Sequence, residues 1–305
     1  MVVEQGGSEA GSPEAHDRLG EVLKLMPTGD GPILVVGIPH EDVGSRVDAG
    51  AVGMMPPTGH LTLVSQDSPG AGGGAEAGDL YGAALDAYFT YEAHPIGMIL
   101  VGVPGEDVSG KADTGMVSLA SYDLGLTPED GVSPIIGLAP TLTQDSPGVQ
   151  GSREAGDRYG SAVLAGEFGQ DDGALHLVAT APLEDVGHTK NAGQLAMTFI
   201  NQDGTPRSGA QPGAWTQDSV DVAGAVERGD RFGAALSSVQ LTTAEDDDDL
   251  VWPVTLVTVP GEDVNGVADA GIAYLGVAPG AGSVALVPPI LQAGAGLGMV
   301  PMQVG

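Results

Sequence analysis

The sequence predicts an all-β fold: a β-propeller of four repeats, each of about four short strands, with residues 291–305 as a partial fifth repeat or closing strand. Three observations predict it. Four short motifs recur in one fixed order, at intervals of 62 to 78 residues. Short apolar runs lie between them, and turn residues close every run. Recurrence of this kind marks a repeat architecture. Short apolar runs bounded by turn signals read as buried strands rather than helices, and four such strands per repeat, set radially, make propeller blades.

The motifs can be taken in chain order. The first is Asp-x-(aromatic or Leu)-Gly, at Asp17–Gly20, Asp79–Gly82, Asp157–Gly160 and Asp230–Gly233. Small apolar residues follow it (Ala83-Ala84-Leu85, Ala234-Ala235-Leu236) and suit a tightly packed innermost strand. A second run follows, such as Ile33–Val36, Met98–Val101 or Leu256-Val257, and ends at Pro-x-Glu-Asp-Val: Pro39–Val43, Pro104–Val108, Pro182–Val186 and Pro260–Val264. Next comes a turn triplet, Asp48-Ala49-Gly50, Asp113-Thr114-Gly115, Asn191-Ala192-Gly193 or Asp269-Ala270-Gly271, opening a third run such as Met116–Leu119 or Ile272–Leu275. A fourth strand, as at His60–Val64, precedes Gln-Asp-Ser, found at Gln66–Ser68, Gln144–Ser146 and Gln217–Ser219. The repeats span about 4–64, 65–142, 143–215 and 216–290 within a single domain. Residues 13–25 hold a short helical turn at most.

Composition narrows the function classes. There are 41 acidic and 10 basic side chains, a formal net charge of −31, and no cysteine. Such an excess repels phosphate, so nucleic acid is not an expected partner, and anionic membranes are disfavoured for the same reason. Disulfides and thiolate metal sites are excluded. No charged residue follows Asp269, but Pro279, Pro288, Pro289 and Pro301 would break a membrane helix repeatedly. Short strands with turns are expected there instead. Glycine and proline together number 72, which in this pattern marks dense turns.

Chemistry-bearing residues recur with the repeats. The doublets Glu41-Asp42, Glu106-Asp107, Glu184-Asp185 and Glu262-Asp263 could act as acid/base pairs only if their environments separated their pKa values. An active site is built once, so turn formation is the economical reading, with aspartate oxygens accepting local N–H bonds. A carboxylate rim for cations or a basic partner is the alternative. The aspartate of Asp-x-x-Gly is expected to anchor its turn and to pair with the adjacent Arg18, Arg158 or Arg231. Ser68, Ser146 and Ser219 recur likewise and lack the Gly-x-Ser-x-Gly elbow of a hydrolase nucleophile. Among six histidines, His40 beside Glu41-Asp42 is the best local metal-like cluster, and none shows His-Glu-x-x-His spacing. Trp215 and Trp252 are candidates either for ligand platforms or for packing.

Gly229-Asp230-Arg231-Phe232-Gly233-Ala234-Ala235-Leu236 and Gly102-Val103-Pro104-Gly105-Glu106-Asp107-Val108 resemble the two halves of the FG-GAP repeat, found in the propeller of integrin α-subunits and in bacterial secreted proteins. The resemblance covers about residues 10–290. It implies a propeller, usually of seven blades, and an extracellular or cell-surface setting. It also implies a calcium loop between first and second strands, since alternating oxygen ligands with a glycine suit a hard cation. Here that loop is degenerate. Asp171 and Asp172 remain in the third repeat, where His176 replaces the last carboxylate, and Glu245, Asp246 and Asp248 lie in an acidic insertion of the fourth. These five are the calcium candidates. Gly37 and Gly102 keep the glycine of the second half-motif, whereas Thr180 and Thr258 replace it, so close packing is not required there. Gly294–Gly298 looks like the start of a fifth unit, with Ala295 in place of the aspartate, and Met1–Gln5 is a candidate outer strand for the last blade.

The expectation is a non-catalytic binding propeller that displays loops to a protein or glycan ligand, with self-association or further blades from a longer chain as ways to fill the ring. An accessory or catalytic region of a secreted hydrolase, and a structural segment of an adhesion protein, stay open as alternatives.

Overall fold

A computed structural model describes residues 13–26, 31–56, 61–69, 71–89, 96–123, 135–166, 175–201, 203–208, 212–220, 222–240, 253–277 and 283–287. It holds four antiparallel sheets of four strands each and, among the described residues, no helix. The first is β1 (Val22–Met26), β2 (Ile33–Ile38), β3 (Ala51–Met55) and β4 (Thr62–Val64). The second is β5 (Ala84–Phe89), β6 (Ile96–Val103), β7 (Met116–Asp123) and β8 (Ile135–Leu142). The third is β9 (Val163–Gly166), β10 (Leu175–Ala181), β11 (Gln194–Ile200) and β12 (Gly213–Trp215). The fourth is β13 (Leu236–Gln240), β14 (Pro253–Val259), β15 (Ile272–Leu275) and β16 (Val284–Leu286). Each strand pairs with its sequence neighbour, so every sheet is a meander. The helical turn allowed for residues 13–25 gives way to β1, because alternating Val22, Lys24 and Met26 pair with Gly37, Val35 and Ile33 of β2.

Three hydrophobic cores lie between successive sheets, and strand periodicity explains how. Successive side chains point to opposite faces, so a sheet packed on both sides must be apolar at every position. Strand β6 does this: Ile99, Val101 and Val103 enter the core shared with the first sheet, while Met98 and Leu100 enter the core shared with the third. The third core joins Leu164, Val178, Leu195 and Met197 to Val257, Val259, Ile272 and Tyr274 of the fourth sheet.

Between the sheets the backbone forms a repeated joint. The turn triplet of one unit accepts hydrogen bonds from the Asp-x-x-Gly segment of the next: Leu80 N to Asp48 O and Tyr81 N to Ala49 O, at 3.2 and 2.9 Å. Arg158 and Tyr159 repeat this on Asp113 and Thr114, and Arg231 and Phe232 on Asn191 and Ala192. Glycine closes each triplet because Gly50 has φ +86° and its missing Cβ leaves room for the Tyr81 backbone. The aromatic of the motif then fills the core: Tyr81, Tyr159 and Phe232 are fully buried.

Candidate functional site

The first strand of every sheet faces one cavity of about 300 Å³. Its wall is made of Glu21–Lys24, Ala83–Leu85, Ser161–Val163 and Ala234–Ser237, the segments just after the four Asp-x-x-Gly motifs. Small residues there let the strands converge. The volume is at the lower end for small-ligand pockets. Beside the cavity Lys24 Nζ lies 3.1 Å from Asp86 Oδ1, and Asp86 Oδ2 accepts the Ala165 amide at 2.8 Å. One buried carboxylate thus ties β1, β5 and β9 together. No cysteine or histidine lines this wall, and the Ser161 hydroxyl donates to the Arg158 carbonyl at 2.7 Å, so no base activates it. The arrangement can hold a small polar group; among the described wall residues Ser161 is not paired with a base. Sequence reasoning missed Asp86 because its position holds Lys24, Leu164 and Ser237 in the other units, so it is not part of any recurring motif.

The Glu-Asp doublets split into two roles. Asp42, Asp107, Asp185 and Asp263 each accept the backbone N–H six residues on, from Asp48, Asp113, Asn191 and Asp269, at 2.9–3.0 Å. That is the turn role read from the sequence. The glutamates do something else. Glu106 and Glu184 are buried, and with Glu262 they receive the Nε2 of Gln66, Gln144 and Gln217 at 2.5, 2.7 and 2.5 Å. Both partners recur once per joint, and that co-recurrence is the signal that could have found the pair. The rest of Gln-Asp-Ser closes its own loop: Ser68, Ser146 and Ser219 Oγ accept the amides of Ser65, Thr143 and Thr216 at 2.9–3.0 Å.

The aspartates of Asp-x-x-Gly are buried, and Asp17, Asp79, Asp157 and Asp230 accept the amides of Glu14, Glu76, Glu154 and Glu227. The expected pairing with the adjacent arginine is not made. Arg18, Arg158 and Arg231 sit at φ 55–57° on exposed turns that carry them away from the buried carboxyl. Arg18 instead meets Glu21 at 3.4 Å, and Arg158 meets Asp113 at 3.9 Å.

Burial is the largest influence on the electrostatics of these carboxyls. Desolvation, opposed only in part by the hydrogen bond from glutamine, pushes Glu106 and Glu184 up to about 7 and raises Glu262. The same cause lifts Asp79 and Asp157 to about 6 and Asp230 to about 7. On the surface the reverse holds: the Lys190 ammonium bonded to Asp185 keeps that carboxyl below the usual range.

The remaining predicted residues fall as follows. His40 Nδ1 is 2.8 Å from Asp48 Oδ1, while Glu41 is buried and Asp42 serves its turn, so the three do not converge. Among the described residues no group of three or more His, Asp or Glu is placed to hold a metal ion. His176 is no loop ligand: it is buried on β10, its ring 4.5 Å from that of Phe199. Trp215 packs in the core between the third and fourth sheets, which removes it as a ligand platform. Thr180 and Thr258, in place of glycine, turn their hydroxyls to the innermost strand and accept the Ala162 and Ala235 amides at 3.1 and 2.9 Å. The calcium candidates Asp171, Asp172, Glu245, Asp246 and Asp248 lie outside the described residues, as do Trp252, Met1–Gln5 and Gly294–Gly298. No described helix is long and apolar enough to cross a membrane. No protein-family model matches the chain, and no curated protein matches it at a significant level.

Proposed function

We propose that the chain is a non-catalytic β-propeller of the FG-GAP type, extracellular or on a cell surface, that binds a protein or glycan at the loops around its central cavity. The observation that carries this reading is the convergence of all four first strands on one cavity whose wall contains no nucleophile and base in contact. The recurring acids support it too, because each is hydrogen-bonded within a turn or joint. A ligand that binds only the folded state raises its unfolding temperature by mass action.

The test is thermal unfolding of the full chain against panels of glycans and secreted-protein domains, each with calcium and with chelator. A saturable upward shift with at least one binding partner is expected. Calcium alone should raise the unfolding temperature if Asp171, Asp172, Glu245, Asp246 and Asp248 hold it. Hydrolysis of an ester or glycoside that disappears in a Glu21→Gln or Asp86→Asn variant would overturn the reading in favour of an enzyme.

A further inference from the structure

Each of the three joints brings together the same pair of acids, with the aspartate buried in all three and the glutamate buried in two and half-buried at Glu262. At the first, Asp79 and Glu106 are 1% and 7% exposed; at the second, Asp157 and Glu184 are 2% and 7% exposed. At the third, Asp230 is fully buried beside Glu262. The pair lies where three pieces of chain meet: the linker leaving one sheet, the Asp-x-x-Gly segment entering the next, and the turn after that sheet's second strand. The linker glutamine clamps the glutamate from one side. In the first and third joints the residue before the glutamate also bonds the aspartate backbone: Gly105 N to Asp79 O at 3.0 Å, and Gly261 N to Asp230 O at 3.1 Å. Linker glycines lie close over the amide; a Cβ at Gly73 would come 2.9 Å from Gln66 Nε2, and one at Gly151 3.1 Å from Gln144 Nε2.

We propose that these pairs make the stack a proton-operated clasp: its joints are tight when the buried acids are protonated and slacken when they ionise. The surroundings are mostly acidic. Glu76 and Asp107 face the first pair, with Arg46 as the one cation acting on Asp79. Glu154 and Asp185 face the second, with Lys111 acting on Asp157. Glu227 and Asp263 face the third, with the Tyr274 phenol as its neutral neighbour. Asp230 Oδ1 and the Oε1 atoms of Gln66, Gln144 and Gln217 are buried without a hydrogen-bond partner, so the glutamine and backbone donors offset only part of the cost of an ionised pair. An ionised pair there is two like charges in a low-dielectric gap.

The sign follows from linkage. The folded-state values lie above those of the unfolded chain, so the folded protein binds more protons. The stabilisation is complete below about pH 4, is lost as pH rises through about 6–7, and is absent above that. Expected is an unfolding temperature that falls by roughly 5–10 °C between pH 5 and 7 and then levels off. The experiment compares the full chain with the triple variant Glu106→Gln, Glu184→Gln, Glu262→Gln, in 0.15 and 0.5 M salt. The variant should lose most of the slope, and salt should leave the parent's slope in place, because screening reaches buried pairs poorly. Carboxyl ¹³C titration of the parent should place Glu106 and Glu184 near neutral pH and Glu262 above the ordinary glutamate range, which keeps the test open if the triple variant does not fold. An unchanged slope in the variant, a slope that vanishes in 0.5 M salt, or carboxyls titrating near 4 would each overturn the clasp. Loss of ligand binding would not, so its failure and that of the binding reading are distinguishable.

Discussion

Glu106 and Asp107 are neighbours in the chain with opposite environments, and one methylene separates their uses. The shorter aspartate reaches its own turn and stays exposed; the longer glutamate reaches back under the linker to Gln66. Steric demand is just as local at Gly102. A Cβ there would fall inside the contact shell of the Gly160 carbonyl oxygen, a backbone atom of the next unit that has no freedom to move aside. Gly102→Ala should therefore cost at least the upper part of the overpacking range, about 3 kcal/mol. Gly110→Ala, at φ +77° with nothing within 4 Å, should cost only the conformational penalty of about 1 kcal/mol. Urea unfolding of the two variants checks this, and equal losses would mean the joint is looser than its spacing indicates. Glu41, Glu106, Glu184 and Glu262 looked like turn residues in the sequence because local spacing reveals local bonds. The Gln66–Glu106 bond spans 40 residues and needed the sheet order to bring it together.

At the scale of elements, strand positions were legible because turn residues bracket each apolar run: Ile33–Ile38, Met116–Asp123 and Ile272–Leu275 form where such runs stand. What one strand's pattern does not disclose is its neighbour across the cavity. Lys24, Asp86 and Ala165 come from three sheets, and only convergence of the first strands makes them a unit. Asp86 is 8% exposed, so Asp86→Ala would leave the Ala165 amide without its acceptor. A cost of about 2 kcal/mol is expected from that orphaned donor and the lost ion pair. Lys24→Met should cost less, under about 1 kcal/mol, since the lysine side chain is 38% exposed and solvent screens its pairing. Chemical unfolding of both single variants and the double variant measures the coupling. A Lys24 effect as large as that of Asp86 would show that the ion pair, rather than the amide bond, holds these strands.

For the whole molecule the question is what lies beyond the two end sheets. Three joints account for three cores, yet Val36, Ile38, Ala51 and Met55, on the face of the first sheet turned away from the second, are also 0–5% exposed. That sheet is therefore covered on both faces. Among the described residues the hydrogen bonds of a fourth joint are nevertheless not formed. Arg18 and Leu19 occupy the positions of Arg158 and Tyr159, but their amides bond no carbonyl among the described residues, whereas Leu80, Tyr81, Arg158, Tyr159, Arg231 and Phe232 each bond the preceding triplet. Leu23 and Leu25 on β1 are 46% and 65% exposed, and a Cβ added at Gly20 would meet only a Leu23 methyl among the described residues, at 3.9 Å. Packing without the matching bonds predicts a weak seam at this end. Native-state hydrogen exchange tests it directly, because amide protection follows the free energy of local opening. The six bonded amides should exchange slowly and together, and those of Arg18 and Leu19 faster by at least about a hundredfold, equivalent to about 2.7 kcal/mol at 1.36 kcal/mol per tenfold change. Equal protection at all eight would show the first unit capped as firmly as the rest, by the same triplet geometry that joins the others. Fast exchange at Arg18 and Leu19 alone would locate the seam where the stack opens first, and raising the pH through 7 should then spread that opening to the amides of the three closed joints.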